Sequence, residues 1–397
     1  MKPCYLDANA TTPVLPEVLA AMEPYWRLPG AANASSVHTY GRAARKTLED
    51  AREEIAALIG AYPDEVVFTS GATEANNLAI SGLLIRSPGP VVYSDLEHPS
   101  VRETVLAWGR RGVPLSKVPV TAAGVVSLDA ALPCSTRPAL VTLMLANNET
   151  GVIQPVEDLA RLCAPAGIAL HVDAAQAVGR IPVNFHALGA TTMSFTAHKF
   201  YGPKGIGCLL VRRGTLLEPL LYGGPQERTL RPGTEPVALV IGLREALRLA
   251  VQTLETRRQR LTLLQQVFTD ALREQVESAV IHAPDSPRVP GVLSIAFPGV
   301  RADLLLACLD LEGIYVSAGA ACSSGSLEPS PAILAMTNDY DLARATIRIS
   351  FPLDLSPEDA RACGLAVARS VQSLRQSPAP IAVAVSRDPS RATRSIS

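Results

Sequence analysis

The sequence has no long apolar run and no excess of charge of either sign. Its 397 residues include 36 Lys and Arg against 37 Asp and Glu, for a net charge of −1, so the composition does not indicate a nucleic-acid partner. No apolar stretch approaches the roughly 18 residues that a membrane-spanning helix needs, and the first residues carry no apolar signal core. We therefore expect no nucleic-acid or membrane partner and a cytoplasmic location.

Several familiar site patterns are also missing. The cysteines number seven, and no two of them form a C-x-x-C pair, which argues against a disulfide framework or a zinc site. The sequence contains no G-x-G-x-x-G after a strand, no P-loop, no H-E-x-x-H and no G-x-S-x-G. We expect no resident metal, and the nucleotide-binding, zinc-protease and hydrolase classes lose their main support.

Short apolar runs alternate with helix-like stretches in the first part of the chain. Several runs are apolar on both faces, as buried parallel strands are; they lie at residues 66–68, 91–93, 140–145, 168–172, 193–195 and 206–211. A further helix, with Ala44, Leu48, Ala51 and Ile55 on one face, is predicted to end at Gly60. The pattern predicts an α/β fold with a mostly parallel central sheet in a large domain over residues 15–257.

The remainder predicts a smaller α+β domain from residues 1–14 and 258–376. Its strands are expected at 292–297, 315–316 and 346–350, and a continuous helical pattern over 237–280 is predicted to bridge the two domains. Residues 377–397 are rich in Pro, Ser and Arg, so we predict a flexible tail.

Small and polar residues follow several of the predicted strands, which is where ligands bind in open α/β sheets. After the first strand, the segment Ser70-Gly71-Ala72-Thr73 would place backbone N–H groups at a helix N-terminus, a natural site for a phosphate. A plain helix cap by Thr73 is the alternative.

Three further residues have unusual settings. Asp173 closes an apolar strand, where its charge needs a partner such as a pyridinium N–H or a helix N-terminus. Lys199 ends another strand, and desolvation there would make it an amine nucleophile rather than a surface lysine. Cys322 stands among small residues only, so we expect an exposed thiol rather than a structural loop cysteine. A lysine, an aspartate and a phosphate site together match the requirements of pyridoxal phosphate.

On these residues the sequence resembles the cysteine desulfurases, fold-type I pyridoxal-phosphate enzymes related to the class V aminotransferases. The resemblance extends from Tyr5 to about Pro357. Its landmarks in chain order are Ala10-Thr11-Thr12-Pro13, residues 68–77, Glu97-His98, residues 147–151, residues 171–176, His198-Lys199, residues 231–234 and residues 326–330. The resemblance implies a homodimer in which the smaller domain carries the loop with the catalytic cysteine.

The resemblance also implies a role for each matching residue. Lys199 would bind pyridoxal 5'-phosphate as a Schiff base, Asp173 would pair with the pyridine nitrogen, and Gln176 would hydrogen-bond the phenolic oxygen. His98 would stack on the ring and move protons, and Cys322 would be the nucleophile that takes the sulfur. Five residues would bind the phosphate: Ala72, Thr73, Thr196, His198 and the other subunit's copy of Thr234. Asn148 would lie beside the cofactor, and together with Arg348 it would also bind the substrate carboxylate.

The implied reaction converts L-cysteine to L-alanine and leaves a persulfide on Cys322. A sulfur-acceptor protein such as an iron–sulfur scaffold would then take the sulfur, and Cys322 could transiently ligate a cluster in such a complex. The alternatives are a selenocysteine lyase or cysteine-sulfinate desulfinase, another class V aminotransferase, and a non-catalytic sulfur-relay subunit. Pro225, Pro232 and Pro352 depart from the family pattern; they remove no chemical group but would stiffen loops.

Overall fold

The computed structural model describes residues 2–130, 132, 137–318 and 329–376. The strands are β1 Cys4–Tyr5, β2 Val66–Thr69, β3 Val91–Ser94, β4 Leu115–Val118, β5 Leu140–Met144, β6 Ala169–Asp173, β7 Thr192–Thr196, β8 Gly207–Val211, β9 Val280–Ile281, β10 Val292–Ala296, β11 Ile314–Tyr315, β12 Ser317–Ala318 and β13 Thr346–Ser350. The helices are α1 Pro16–Met22, α2 Thr39–Ile59, α3 Ala72–Arg86, α4 Pro99–Gly109, α5 Val156–Cys163, α6 Phe185–Leu188, α7 Val237–Gln252, α8 Leu254–Arg273, α9 Ala302–Leu311, α10 Pro331–Thr337, α11 Tyr340–Arg344 and α12 Pro357–Gln376.

A seven-stranded sheet forms the centre of the fold, in the order β2-β8-β7-β6-β5-β3-β4. Only β8 runs against its neighbours, pairing antiparallel with both β2 and β7. The strands β2, β5, β6, β7 and β8 are buried along their whole length or nearly so, as expected for a sheet covered on both faces. The predicted α/β fold with a mostly parallel central sheet is confirmed. The edge strand β4 was not predicted, because only its last residue is fully buried and its apolar pattern is weak.

Helix α2 shows how sequence periodicity fixes packing. Ala44, Leu48, Ala51 and Ile55 recur every three or four residues and are all buried, so one face of the helix joins the apolar cluster around the central sheet. Gly60 follows in the left-handed region at φ 66°, and its N–H bonds the carbonyl of Ala56. The predicted glycine cap is confirmed.

A second apolar cluster lies around an antiparallel sheet of order β12-β13-β10-β9. Phe268 from α8, Leu293 and Ile347 from the sheet and Val367 from α12 are all buried in it. Strand β1, from the chain start, pairs with β11 beside this cluster. The three strands expected in this part of the chain are present, while the division at residue 257 stays a prediction.

The predicted single helix over 237–280 is wrong. Helix α7 ends at Gln252 and α8 begins at Leu254, with Thr253 between them at φ −107° and ψ 15°. Helix α7 packs against α1 and α2, whereas α8 packs against α12. Val280, at the end of the expected helix, lies in β9. No glycine or proline marks the break in the sequence. The residues around Thr253 therefore do not predict that the packing partner changes there.

Candidate active site

The carboxyl ends of six strands lie at one edge of the central sheet, and five of these strands lead into predicted site residues. Register pairs Met144 with Asp173 and Asp173 with Ser194, which puts Asp173 at the middle of this edge. The predicted site residues that end or follow these strands are Ala72 and Thr73 after β2, His98 after β3, Asn148 after β5, Asp173 and Gln176 at the end of β6, and Thr196, His198 and Lys199 at the end of β7. The fold therefore brings them to one side of the sheet.

Helix α3 begins next to this edge without a side-chain cap. Gly71 is its N-cap residue and, because glycine has no side chain, it makes no side-chain capping hydrogen bond. Thr73 is the second residue of the helix, so the alternative in which Thr73 caps it is wrong. The N–H groups at the start of α3 remain available for an anion.

Asp173 is held by a buried polar network. Its Oδ1 accepts the N–H of Ala175 at 2.9 Å, and its Oδ2 accepts from Asn76 Nδ2 at 2.8 Å. Asn76 Oδ1 in turn lies 3.0 Å from His171 Nε2 and accepts from the Ser194 hydroxyl. Both carboxylate oxygens therefore have fixed donors, and each still has a lone pair for one more. Asn76 was not predicted as a site residue, although it lies in the family landmark of residues 68–77.

Lys199 points towards the segment that follows β1. Its Nζ donates to the carbonyl of Asn9 at 2.7 Å and to that of Ala10 at 3.0 Å. Gln176 Nε2 donates to the same Asn9 carbonyl at 3.1 Å. The Oε1 atom of Gln176 is buried and has no hydrogen-bond partner among the described residues. A polar group is therefore needed beside Gln176.

Asn9 was missed by the sequence analysis. Its side chain donates to the carbonyl of Asn148 at 3.1 Å, and its own N–H donates to Ser350 Oγ at 2.9 Å. It is buried and directly precedes the landmark Ala10-Thr11-Thr12-Pro13. That adjacency is the only local signal that could have indicated it.

His98 is the N-cap of α4. Its Nδ1 accepts the N–H of Ser100 at 3.1 Å, so the neutral ring carries its proton on Nε2. Burial lowers the pKa of His98, and the charge of Asp173 opposes that effect. The capping contact thus fixes both the orientation and the tautomer of the ring.

Two expected phosphate ligands are partly engaged. The Thr196 hydroxyl donates to the carbonyl of Ile206 at 2.9 Å, so it can only accept further hydrogen bonds. His198 Nδ1 lies 3.1 Å from Thr11 Oγ1. Burial, followed by the charges of Lys199 and Lys204, lowers the pKa of His198 to about 4, so the ring is neutral at pH 7.

Arg348 lies in β13 and is almost fully buried. Its Nη2 bonds Asp7 Oδ1 at 2.7 Å and its Nη1 donates to the carbonyl of Asn148 at 3.1 Å. Its Nε is buried and has no hydrogen-bond partner in the described part of the chain. Asn148 and Arg348 are therefore adjacent, and a donor is left for an additional acceptor; their role at the substrate carboxylate stays a prediction.

Two predicted residues stand apart from this cluster. Thr234 is exposed, and no hydrogen bond joins its side chain to the other described residues. Cys322 lies outside the described residues, as does most of the segment 319–330 around it.

Two buried acids near the site were not predicted. Burial, and then the charge of Asp173, raises the pKa of Glu97 well above its usual value. Burial also raises the pKa of Glu149, although Ser330 and Arg348 act in the opposite direction. Glu97 Oε1 accepts the N–H of Met144 at 3.1 Å and so ties the residue before His98 to the end of β5.

Known proteins resemble this chain over most of its length. The Aminotransferase class-V family model matches residues 4–362. Cysteine desulfurase IscS of Dictyoglomus turgidum is 40% identical over 375 residues, which cover 94% of this chain and 95% of that protein. The IscS-like cysteine desulfurase of Mycobacterium tuberculosis is 40% identical over 358 residues, covering 87% and 90%.

Solved structures agree with the sequence comparisons. A NifS-like protein superposes with a TM-score of 0.86 at 33% identity, covering 94% of this chain and all of that one (100%). A structure described as SspA in complex with cysteine gives a TM-score of 0.77 at 33% identity, covering 88% of this chain and 99% of that one. The chain therefore belongs to the class V aminotransferase family. Within that family it belongs to the cysteine desulfurases, which are pyridoxal-phosphate enzymes.

The residues present fit pyridoxal phosphate. The uncapped start of α3 suits the phosphate, and Asp173 at the centre of the sheet edge suits a protonated ring nitrogen. The orphaned Oε1 of Gln176 lies next to the position of the Lys199 amine, since both side chains reach Asn9. The structure thus contains an anion site, a carboxylate and an amine in one cluster.

Proposed function

We propose that this chain removes sulfur from L-cysteine, releases L-alanine and carries the sulfur as a persulfide on Cys322. The observation that carries the proposal is the convergence of Lys199, Asp173 and the Asn148–Arg348 pair at one sheet edge. The family relationship supports the same chemistry, because proteins named cysteine desulfurase are 40% identical to this chain over 94% and 87% of its length.

The cofactor, when bound, supplies an aldehyde for the lysine link and an electron-withdrawing ring that stabilises negative charge on the substrate. Lys199 provides the amine for that link and is positioned by the carbonyls of Asn9 and Ala10. Asp173 holds a proton on the ring nitrogen, since two hydrogen bonds fix its carboxylate and leave it able to accept another. Lys199 is also placed to take the proton from the substrate α-carbon.

Arg348 and Asn148 bind the substrate carboxylate. Among the described residues, Nε is the one nitrogen of the buried guanidinium without a hydrogen-bond partner, while Asp7 and the Asn148 carbonyl hold the other two. A charge-assisted hydrogen bond in this dry setting favours an α-amino acid over an amine without a carboxylate. The pairing with Asp7 fixes the arginine rotamer before substrate arrives.

The sulfur step needs a thiolate and a proton. Cys322 as thiolate attacks the substrate sulfur, so that a sulfur–sulfur bond forms while the carbon–sulfur bond breaks. The carbon keeps the electron pair and is protonated, which gives alanine. His98 is placed to move protons through Nε2, because Ser100 holds its Nδ1.

We further propose a homodimer in which Thr234 completes the phosphate site of the partner subunit. Thr234 is exposed in the single chain, and several large apolar side chains are exposed as well, among them Trp26, Leu28, Val37 and Tyr222. Mixing Lys199→Ala subunits with Thr234→Ala subunits tests this. If Thr234 acts across the interface, mixed dimers contain one complete site and regain activity; if it acts within its own chain, mixing regains none.

The persulfide sulfur is proposed to go to a separate acceptor protein, such as an iron–sulfur scaffold. The proposed compartment is the cytoplasm. Among the described residues, no helix has the length and apolar character to cross a bilayer. Acceptors in housekeeping cluster assembly, nitrogenase maturation and thiolation all fit the same chemistry.

Product analysis tests the proposed reaction. Purified protein loaded with pyridoxal phosphate is given L-cysteine, L-selenocysteine or L-cysteine sulfinate, and alanine is counted in each case. We expect alanine and protein-bound sulfane sulfur from cysteine. Alanine from selenocysteine or sulfinate, with background formation from cysteine, would instead support the lyase or desulfinase alternative.

A further inference from the structure

Arg180 is a charged residue in the site region to which the mechanism above gives no role. It donates through Nη1 to the side-chain oxygen of Asn9, and through Nη2 to the carbonyls of Ala8 at 3.3 Å and Lys199 at 3.2 Å. Within the described part of the chain, no carboxylate lies within ion-pair distance of its guanidinium. Burial lowers the pKa of Arg180 to about 10. A buried cation without an anionic partner is costly, so its retention needs an explanation.

All three acceptors of Arg180 belong to the surroundings of Lys199. Asn9 accepts Arg180 on its side-chain oxygen and Lys199 Nζ on its carbonyl. Asn9 also donates to the carbonyl of Asn148, to which Arg348 donates as well. The two cations, Arg180 and Lys199, therefore share one buried residue, and that residue touches the substrate side of the site.

We propose that Arg180 is a positioning residue that acts through Asn9 on Lys199. Its guanidinium holds Asn9 by the side-chain oxygen and so positions the residue whose backbone carbonyl orients the amine. Its positive charge favours the neutral, nucleophilic form of the Lys199 nitrogen. The inference deepens the proposed function, since it rests on Lys199 binding the cofactor, but it does not depend on which amino acid is the substrate.

Other ionisable groups face this pair and set the background for any pH effect. Tyr201 lies close to Arg180, with Arg348 acting from β13. On the other side, Lys199 is within electrostatic range of His98 and His198, and those rings also feel Asp173 and Lys204 respectively. The charge of Arg180 also acts to lower the pKa of His198 and of Tyr201, so replacing Arg180 changes their surroundings too. The readout must therefore report on the Lys199 nitrogen itself.

The pH midpoint of the visible absorption band of the bound cofactor is the direct readout. With Arg180→Gln, the protonated form at the Lys199 nitrogen loses a repelling charge, so the midpoint moves up by about one pH unit. Arg180→Lys keeps the charge and loses the planar fork, so its midpoint stays close to that of the wild type while kcat falls about tenfold at unchanged KM. Arg212→Gln is the matched control, because Arg212 donates to the carbonyl of Ala190 away from the site, and it should change neither quantity.

A double-mutant cycle tests whether Asn9 transmits the effect. If Arg180 acts through Asn9, Asn9→Ala/Arg180→Gln should lower kcat no further than Asn9→Ala alone; additive losses would overturn the transmission. An unchanged midpoint in Arg180→Gln, or wild-type kcat in Arg180→Lys, would overturn the positioning role. The two proposals can fail separately. A shifted midpoint in Arg180→Gln would support the positioning role even if the wild type formed no alanine from cysteine, and that second result would reject the proposed reaction.

Discussion

The carboxyl groups of Glu97 and Asp173 are both buried at the carboxyl edge of the central sheet, and the charge on Asp173 raises the pKa of Glu97 further than burial alone does. A neutral Glu97 accepts the N–H of Met144 at the end of β5. This hydrogen bond fixes Glu97, and Glu97 directly precedes His98 in the chain. Asp173, in contrast, has two donors that stabilise its charge. The two acids therefore have different tasks.

Replacing Glu97 by glutamine should change little in the site, because the amide has the shape and neutrality of the protonated acid. We expect kcat within about threefold of the wild type. At pH 8 the free energy of unfolding of Glu97→Gln should be higher than that of the wild type, since a raised pKa in the folded state contributes stability at low pH that is lost as pH rises. Urea unfolding at pH 6 and pH 8 measures this.

Asn76→Ala serves as the contrast for Glu97→Gln. It removes the donor to Asp173 and leaves buried partners unpaired, which should weaken cofactor binding and cost roughly 1–3 kcal/mol of stability.

A hundredfold loss of activity in Glu97→Gln would mean that an ionised Glu97 is needed, and the assignment of a neutral acid would fail.

Buried histidines should make stability depend on pH in the opposite direction. Burial lowers the pKa of His282 to about 4, while an unfolded histidine titrates near 6.5. Between those values the unfolded state binds more protons, so the stability contributed by His282 is present above about pH 6.5 and lost as pH falls towards 4. The expected slope is about 1.4 kcal/mol per pH unit for this residue.

His282→Gln should therefore flatten the fall in stability between pH 6.5 and 4.5, measured by urea unfolding in steps of half a pH unit. Ser294→Ala is the control, because Ser294 is buried and its carbonyl bonds His282 N–H, yet it has no titrating side chain. Equal slopes in His282→Gln and the wild type would show that His282 does not titrate with a lowered pKa.

Lys199→Ala should abolish turnover and the visible band of the lysine-bound cofactor. The phosphate site and Asp173 remain, so the protein should still retain some cofactor without the covalent link. Absorption spectra and alanine counts over several turnovers check both parts. Lys204→Ala, in the same segment and exposed, should keep the band. Repeated turnover by Lys199→Ala would remove the lysine from its assigned role.

The features that could be predicted from sequence are those with a local signal. Asp173 ends the buried strand β6 and Lys199 follows the buried strand β7 in a short 3-10 turn, while Gly60 ends a periodic helix. Neighbouring residues therefore indicate all three. The break at Thr253 was missed because the apolar pattern continues across it, and what changes is the distant packing partner: α12 for α8 but α1 and α2 for α7.

The missed site residues are defined by contacts far apart in sequence. Asn9 bonds Ser350, 341 positions away, and Arg180 bonds Asn9, 171 positions away. Asn76 reaches Asp173 across 97 positions. Asn9 and Asn76 lie beside or within family landmarks, but the landmarks do not indicate these contacts, and it is the fold that shows how the three residues support Lys199 and Asp173.

The central claim is that Cys322 takes sulfur from L-cysteine, and Cys322→Ser tests it most directly. The hydroxyl is similar in size, and Lys199, Asp173 and Arg348 are untouched, so the cofactor should bind and its spectrum should still respond to cysteine. A neutral hydroxyl is a poor nucleophile towards sulfur, whereas a thiolate is a good one. The measurement is alanine formed per enzyme from L-cysteine, beside a persulfide assay on the wild type. We predict background alanine from the variant and a persulfide on the wild type; alanine at near the wild-type rate from Cys322→Ser would contradict the desulfurase account.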